Sequence, residues 1–264
     1  MSISSPSNSR IKRARALYGR KHRQVRGELL LEGGRSISEA LGAGAHIVSC
    51  FYTDAALGRW QSLLQELERD GTELISVTER VMETLGDTVT PQGLVAVAAA
   101  PAEAGPSVFA EERLVLVADR IGDPGNLGTM LRTAAAIGAA MVLTAGCVDF
   151  TGPKVVRSSA GAIYSIPVWS NARHAEVVAE ARAEGYRLAV CDASGAVAHY
   201  EVDLTGAVAV VVGNEAHGPA PDWQAADHVF AHIPMPGRAE SLNAAVAAAI
   251  VLYESLRQRR TDPC

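Results

Sequence analysis

The chain reads as an α/β protein, a parallel sheet covered on both faces and preceded by a smaller α/β domain. Three observations predict this. The runs at 114–117, 141–144, 186–191 and 207–212 are almost continuously apolar, as expected of strands buried on both faces. Helical stretches separate them, the alternation that builds a parallel sheet. Residues 99–113 are rich in Pro, Gly and Ala and read as a linker between two groups of elements.

In the first group, 28–32 is a predicted strand and 36–41 a short helix. Residues 46–52 form a strand, and 57–69 a helix with Leu63, Leu64 and Leu67 on one face. Strands at 73–77 and 94–98 complete a small domain over 1–99. The second group opens at 114–117. It continues with a helix at 127–137, a strand at 141–144, a helix near 155–162 and a short strand at 166–169. A helix at 175–184 and strands at 186–191, 207–212 and 228–233 follow. The last element is an Ala-rich helix at 242–256. No internal repeat is evident.

With 264 residues, 48% hydrophobic and 20% charged, the chain can bury a substantial core and is not a disordered tail. Its formal net charge of -5 does not mark a nucleic-acid binder, but the distribution is uneven. Arg10, Lys12, Arg13, Arg15, Arg20, Lys21, Arg23, Arg26 and Arg35 face only Glu28 and Glu32 in the first 35 residues. This run is either an electrostatic footprint for nucleic acid or a solvated basic leader helix. Cys50, Cys147, Cys191 and Cys264 are scattered without a C-x-x-C pair, which argues against zinc and disulfides and for a reducing cytoplasm. No apolar run reaches the ~20 residues of a membrane span.

Three loops follow apolar runs, where α/β proteins build their sites. The first is Asp119-Arg120-Ile121-Gly122-Asp123-Pro124-Gly125-Asn126-Leu127-Gly128, followed by Arg132. Asn126 is a favoured helix cap, and Gly125, Gly128 and Arg132 share a helix face. A tightly packed helix start with a surface arginine explains this loop as well as a binding site does. The second is Gly213-Asn214-Glu215-Ala216-His217-Gly218-Pro219. Its glycine spacing is that of a P-loop, but Pro219-Ala220 replaces the required Lys-Ser/Thr. Glu215 is placed to hold a neighbouring arginine such as Arg132, or Asn214 or Glu215 is a helix cap. His217, the nearest imidazole, reads as a loop histidine, with a base as the alternative. The third runs from Ile233-Pro234-Met235 to Ser241-Leu242-Asn243, with Ser241 as the expected cap and Asn243 inside the first turn of an apolar helix. No G-x-G-x-x-G follows a strand, which disfavours a dinucleotide site. His228 and His232 share a strand face without a third ligand and read as structural.

In order and spacing, these three loops resemble the three motifs of the SpoU (TrmH-like) ribose methyltransferases of the SPOUT superfamily. The likeness covers 114–258. A looser one covers the N-terminal part, through Ser7-Asn8-Ser9-Arg10-Ile11-Lys12, Leu30-Leu31-Glu32-Gly33 and Thr90-Pro91-Gln92-Gly93. His217 and the Pro219 after Gly218 are small departures. The resemblance implies a SPOUT domain at 114–264 with a deep trefoil knot, a linker at 100–113, and a ribosomal-protein-like RNA-binding domain at 1–99. It implies a homodimer that uses S-adenosylmethionine to methylate a ribose 2′-hydroxyl. Gly213, Ile233, Met235 and Leu242 would contact the cofactor. Asn126, Arg132, Glu215, Ser241 and Asn243 would form the catalytic set, with no metal. A guanidinium stays protonated, so Arg132 is expected to orient the hydroxyl and its phosphate rather than act as a base. The separate RNA-binding module favours ribosomal over transfer RNA. The alternatives are a transfer-RNA methyltransferase and a non-catalytic RNA-binding relative, the latter opposed by the presence of both the arginine and the Ser-Leu-Asn set.

Overall fold

A computed structural model describes residues 2–86, 92–214, 216–224 and 228–260. Thr90, Pro91, Glu215 and Cys264 lie outside the described residues. The chain divides into two compact units, Met1–Pro101 with Thr151–Ser165, and Ala102–Phe150 with Ile166–Cys264.

The basic leader is a pair of short helices, α1 (Ser9–Ala16) and α2 (Arg20–Arg26). The Asn8 side chain caps α1 by accepting the Arg10 N–H at 2.9 Å, the usual role of an N-cap amide. Ile11, Ala14 and Leu17 bury one side in the core of the first unit. Most of the leader's cations point outward, but Arg23 is buried and donates to the carbonyls of Leu17 and Tyr18. Arg23 therefore serves the fold.

The first unit continues through β1 (Glu28–Glu32), α3 (Gly34–Gly42), β2 (Ile47–Tyr52), α4 (Asp54–Arg69), β3 (Glu73–Ser76), α5 (Glu79–Leu85) and β4 (Leu94–Ala99). Its sheet has the order β1-β4-β2-β3, with β4 antiparallel to both neighbours. The later elements are α6 (Val108–Glu111), β5 (Leu114–Ala118), α7 (Pro124–Ile137), β6 (Ala140–Thr144), α8 (Pro153–Ser159), β7 (Val168–Ala172), α9 (His174–Ala183), β8 (Arg187–Cys191), β9 (Val197–Ala198), β10 (Val208–Val212), β11 (Val229–His232) and α10 (Ala244–Arg259). Seven strands pair in the order β7-β6-β5-β10-β8-β11-β9, and every pair is parallel. Strands β5, β6 and β10 are buried at every position, as their continuous Val/Leu/Ala runs require. Parallel pairing brings the loops after β5, β8, β10 and β11 to one edge of the sheet.

Two details depart from a division at a simple linker. Residues 100–113 contain a turn of 3₁₀ helix and α6. From α6, Val108 and Phe109 enter the second unit's core, where Phe109 stands edge-on to Trp169 and Tyr186. Thr151–Ser165 belongs with the first unit. Tyr164 donates its hydroxyl to the Ala99 carbonyl at 2.7 Å. Gly161, at φ +92, lies so near α3 that a Cβ there would sit 2.8 Å from the Ser36 carbonyl oxygen. Such a close approach requires glycine.

Candidate active site

Strands β8, β10 and β11 end around a pocket of about 270 Å³. Its wall comes from Cys191 at the end of β8 and Asp192 after it, from Gly213, Asn214 and His217 after β10, and from Ile233, Met235, Ser241 and Leu242 after β11. Ala244 and Ala247 of α10 close it. The structure thus brings Gly213, Ile233, Met235, Leu242 and Ser241 together. His217 is exposed at the pocket wall.

Gly213 explains itself sterically. A Cβ there would run into the Pro219 nitrogen and the Gly218 carbonyl carbon, so the loop can fold back on the strand only over glycine. Asn214 organises that return and caps no helix. Its carbonyl accepts the Gly218 N–H at 2.8 Å, its side-chain oxygen accepts the Ala216 N–H at 2.9 Å, and its amide donates to the Arg120 carbonyl at 3.0 Å.

Two residues that sequence reasoning passed over hold this loop in place. Arg120 adopts φ +55, an uncommon conformation for a side chain with a Cβ, and donates to the Gly218 carbonyl at 3.2 Å. Beside it, Asp119 is fully buried at the end of β5. Its carboxylate accepts the Ala220 N–H at 2.7 Å and the Thr144 hydroxyl at 2.9 Å, and lies 2.8 Å from His174 Nε2. Burial pushes the Asp119 carboxyl up, but the hydrogen bonds from Ala220, His174 and Thr144 outweigh it, so the group stays below its ordinary range. A carboxylate after a strand was the only available signal, and it became informative only with its distant partners in place.

The α7 and α10 ends differ from expectation in register. Asp123, not Asn126, caps α7, accepting the Asn126 N–H at 2.8 Å. Asn243, not Ser241, caps α10, accepting from Ala245 at 3.0 Å and Val246 at 3.3 Å. A short polar side chain just outside the first turn satisfies N–H groups that a helix cannot pair internally, so Asn243 ends up outside the first turn. Its amide also donates to Asn126 Oδ1 at 2.8 Å, joining the starts of the two helices. Ser241 is exposed. Arg132 is exposed on α7, does not line the pocket, and has no ion-pair or hydrogen-bond partner among the described residues. Glu215, the expected partner of Arg132, lies outside the described residues.

Other polar groups near the sheet edge have structural partners. His228 Nδ1 lies 2.7 Å from the Trp223 carbonyl and His232 Nδ1 2.9 Å from that of Gly195. Burial pushes the Cys191 thiol up to about 12, so it is neutral at physiological pH and not a nucleophile in the pocket wall.

A doubly covered parallel sheet with its pocket beyond β8, β10 and β11 defines an α/β enzyme scaffold, and comparison with known proteins gives the family. Residues 113–253 match the SpoU rRNA Methylase family and residues 8–96 the MRM3-like substrate binding domain. The chain belongs to the SpoU rRNA methylase family. It is 34% identical to a 23S rRNA (uridine(2479)-2′-O)-methyltransferase of Streptomyces viridochromogenes, over 96% of this chain and 91% of that one. It is 32% identical to the 23S rRNA (guanosine(2553)-2′-O)-methyltransferase RlmP of Bacillus subtilis, over 95% and 97%. An S-adenosylmethionine-bound rRNA methyltransferase from Sinorhizobium meliloti superposes with a TM-score of 0.85 at 28% identity, covering 97% of each chain.

Asp119→Asn is expected to destabilise the protein by about 3 kcal/mol at pH 7, because buried donors lose a charged acceptor. The check is the urea midpoint as a function of pH. A carboxyl lowered in the folded state contributes stability above its unfolded value, and that stability is lost as pH falls through the folded one. The gap between wild type and variant should therefore hold down to about pH 3.8, the ordinary value for this group, and close below it.

Proposed function

We propose that the chain is an S-adenosylmethionine-dependent 2′-O-ribose methyltransferase acting on ribosomal RNA. The observation that carries this reading is that the second and third motif loops line one pocket, while Asn243, at the end of the third, bonds Asn126 of the first. The pocket suits the cofactor. Ile233, Met235, Leu242, Ala244 and Ala247 offer apolar surface, and the glycine-dependent return at Gly213 brings backbone donors and acceptors to the same wall. Gly213, Ile233, Met235 and Leu242 would hold it. When bound, S-adenosylmethionine supplies a methyl group on a sulfonium.

The chain's own residues position the acceptor, which accounts for much of the rate in such a transfer. Arg132 offers a rigid, permanently charged fork to the ribose 2′-hydroxyl and its neighbouring phosphate. The ribose oxygen would take the methyl group as the sulfur–methyl bond breaks to leave a neutral thioether, and the hydroxyl proton would pass to solvent water. Asn126 and Asn243 fix the start of α7 relative to that of α10, and Ser241 shapes the ribose side of the pocket. Glu215 is assigned to holding Arg132 or Asn126.

Three finer readings accompany this one. The C-terminal segment is threaded as the trefoil knot that the family resemblance implies, and the crossover past β8 from β10 to β11, with α10 packed on α7 and β10, is in keeping with it. The protein works as a homodimer through α10, whose Val246 and Tyr253, 47% and 52% exposed, lie on one face at i, i+7 and leave an apolar stripe for a partner. RNA docks on the first unit through the outward cations of α1 and α2. The compartment is the cytoplasm, in keeping with three unpaired cysteines, Cys50, Cys147 and Cys191, among the described residues. No helix among the described residues is long and apolar enough to cross a membrane.

The test is methyl transfer from labelled S-adenosylmethionine to ribosomal RNA, ribosomal subunits and transfer RNA, followed by nucleoside analysis. Label in a 2′-O-methyl nucleoside of ribosomal RNA is expected. Label in transfer RNA alone, or in a methylated base, contradicts the proposal. Arg132→Ala should lower kcat at least ~100-fold while the cofactor Kd holds; equal loss of both would refute the division of roles. For the dimer, sedimentation at micromolar concentration should give twice the chain mass, and Tyr253→Glu should give monomer. A monomeric wild type refutes it.

A further inference from the structure

A second cavity, of about 310 Å³, lies within the first unit, lined by Glu32, Arg35, Ser36, Gln92 and Arg157 among others. At its edge α3 begins at Gly34, directly after Gly33. Gly33 provides no side-chain cap, and no acidic residue occupies the first turn. The free N–H groups and the positive end of the helix are an anion site only if something else points to a ligand. Ser36 does. It is 7% exposed, its hydroxyl has no hydrogen-bond partner among the described residues, and it lines the cavity. A hydroxyl on the cavity wall that the protein itself does not engage is left to bond a ligand there.

The chemistry of the wall defines the ligand. Arg35 is exposed, with no ion-pair or hydrogen-bond partner among the described residues, and lines the cavity together with Arg157 of α8; guanidinium groups suit a phosphate. Glu32 brings a carboxylate fixed by the Tyr18 hydroxyl at 2.7 Å, an acceptor for the N–H groups of a base. Gln92 adds an amide, with its oxygen 2.9 Å from where a Gly33 Cβ would stand, so Gly33 leaves the amide its place. The volume is at the low end of the ~300–1,000 Å³ usual for ligand pockets, room for one nucleotide.

We propose that this cavity receives one unpaired nucleotide of the RNA substrate. Its phosphate sits at the start of α3 among Arg35, Ser36 and Arg157, and its base edge faces Glu32 and Gln92. Unpaired, unstacked bases are the usual targets of sequence-selective RNA recognition. The cavity would thus fix which stretch of RNA enters the methyl-transfer site. This inference rests on the reading of the chain as an RNA methyltransferase.

The test is binding of deproteinised 23S ribosomal RNA to the full chain at several salt concentrations, with cofactor affinity measured alongside. Arg35→Gln should weaken RNA binding about tenfold and reduce the salt slope by about one. Ser36→Ala should weaken it about three- to tenfold with the slope unchanged. Arg35→Lys should restore the slope. The control Arg69→Gln, at the far end of α4, should behave as wild type, and the cofactor Kd should stay constant throughout. If wild type binds and both cavity variants match it, the cavity assignment fails and the enzyme reading stands. If wild type binds no RNA, both fail. If the variants lose only inorganic phosphate, followed by ³¹P line width, the cavity is a free-anion site and the RNA assignment is overturned.

Discussion

The second unit depends on one buried charge. Placing the Asp119 carboxylate at the end of β5 with no solvent access costs several kcal/mol, and the structure offsets this with hydrogen bonds from three separate elements: Thr144 at the end of β6, His174 at the start of α9, and Ala220 in the loop after β10. Each partner lies where a loop must be held. The carboxylate therefore fixes the sheet edge on which the site is built, and the strained backbone of Arg120 next to it extends the hold to Asn214 and Gly218. Strain of this kind persists only where the surroundings over-determine it, and here hydrogen bonds on both sides do so.

The site itself is held more lightly. The Asn126–Asn243 bond is a neutral amide pair near solvent and contributes about 1 kcal/mol at most. Its importance is geometric, since it sets the start of α10 against that of α7 and so relates the pocket wall to the helix bearing Arg132. A rigid sheet edge beneath a lightly tied pair of helix starts suits a reaction in which the acceptor must enter from solvent and be aligned.

The parts of this arrangement legible in the sequence were those written in local pattern. The apolar runs of β5, β6, β8 and β10 announced a parallel sheet, and the three loops at strand ends announced a site; of the residues expected to hold cofactor or act in catalysis, Gly213, Ile233, Met235, Ser241 and Leu242 line one pocket. What escaped was long-range. Nothing near Asp119 in the chain reveals Thr144, His174 or Ala220. Thr151–Ser165 reads as part of the second unit because it lies between two of its strands, yet Gly161 and Tyr164 bind it to the first. Arg23 counted as one more surface cation until the carbonyls of Leu17 and Tyr18 claimed it. The helix caps were displaced by two or three residues, because each loop carries two side chains suited to the role, Asp123 and Asn126 in one, Ser241 and Asn243 in the other.

The central claim is that the glycine-dependent return after β10 makes a cofactor site. Calorimetric titration of S-adenosylmethionine into wild type and Gly213→Ala tests it most directly, with circular dichroism to verify that the variant stays folded. The account predicts one site per chain in wild type and at least ~100-fold weaker binding in the folded variant, since the added carbon forces the loop off the strand. A wild type that binds no cofactor, or a folded Gly213→Ala that binds as tightly as wild type, would contradict it.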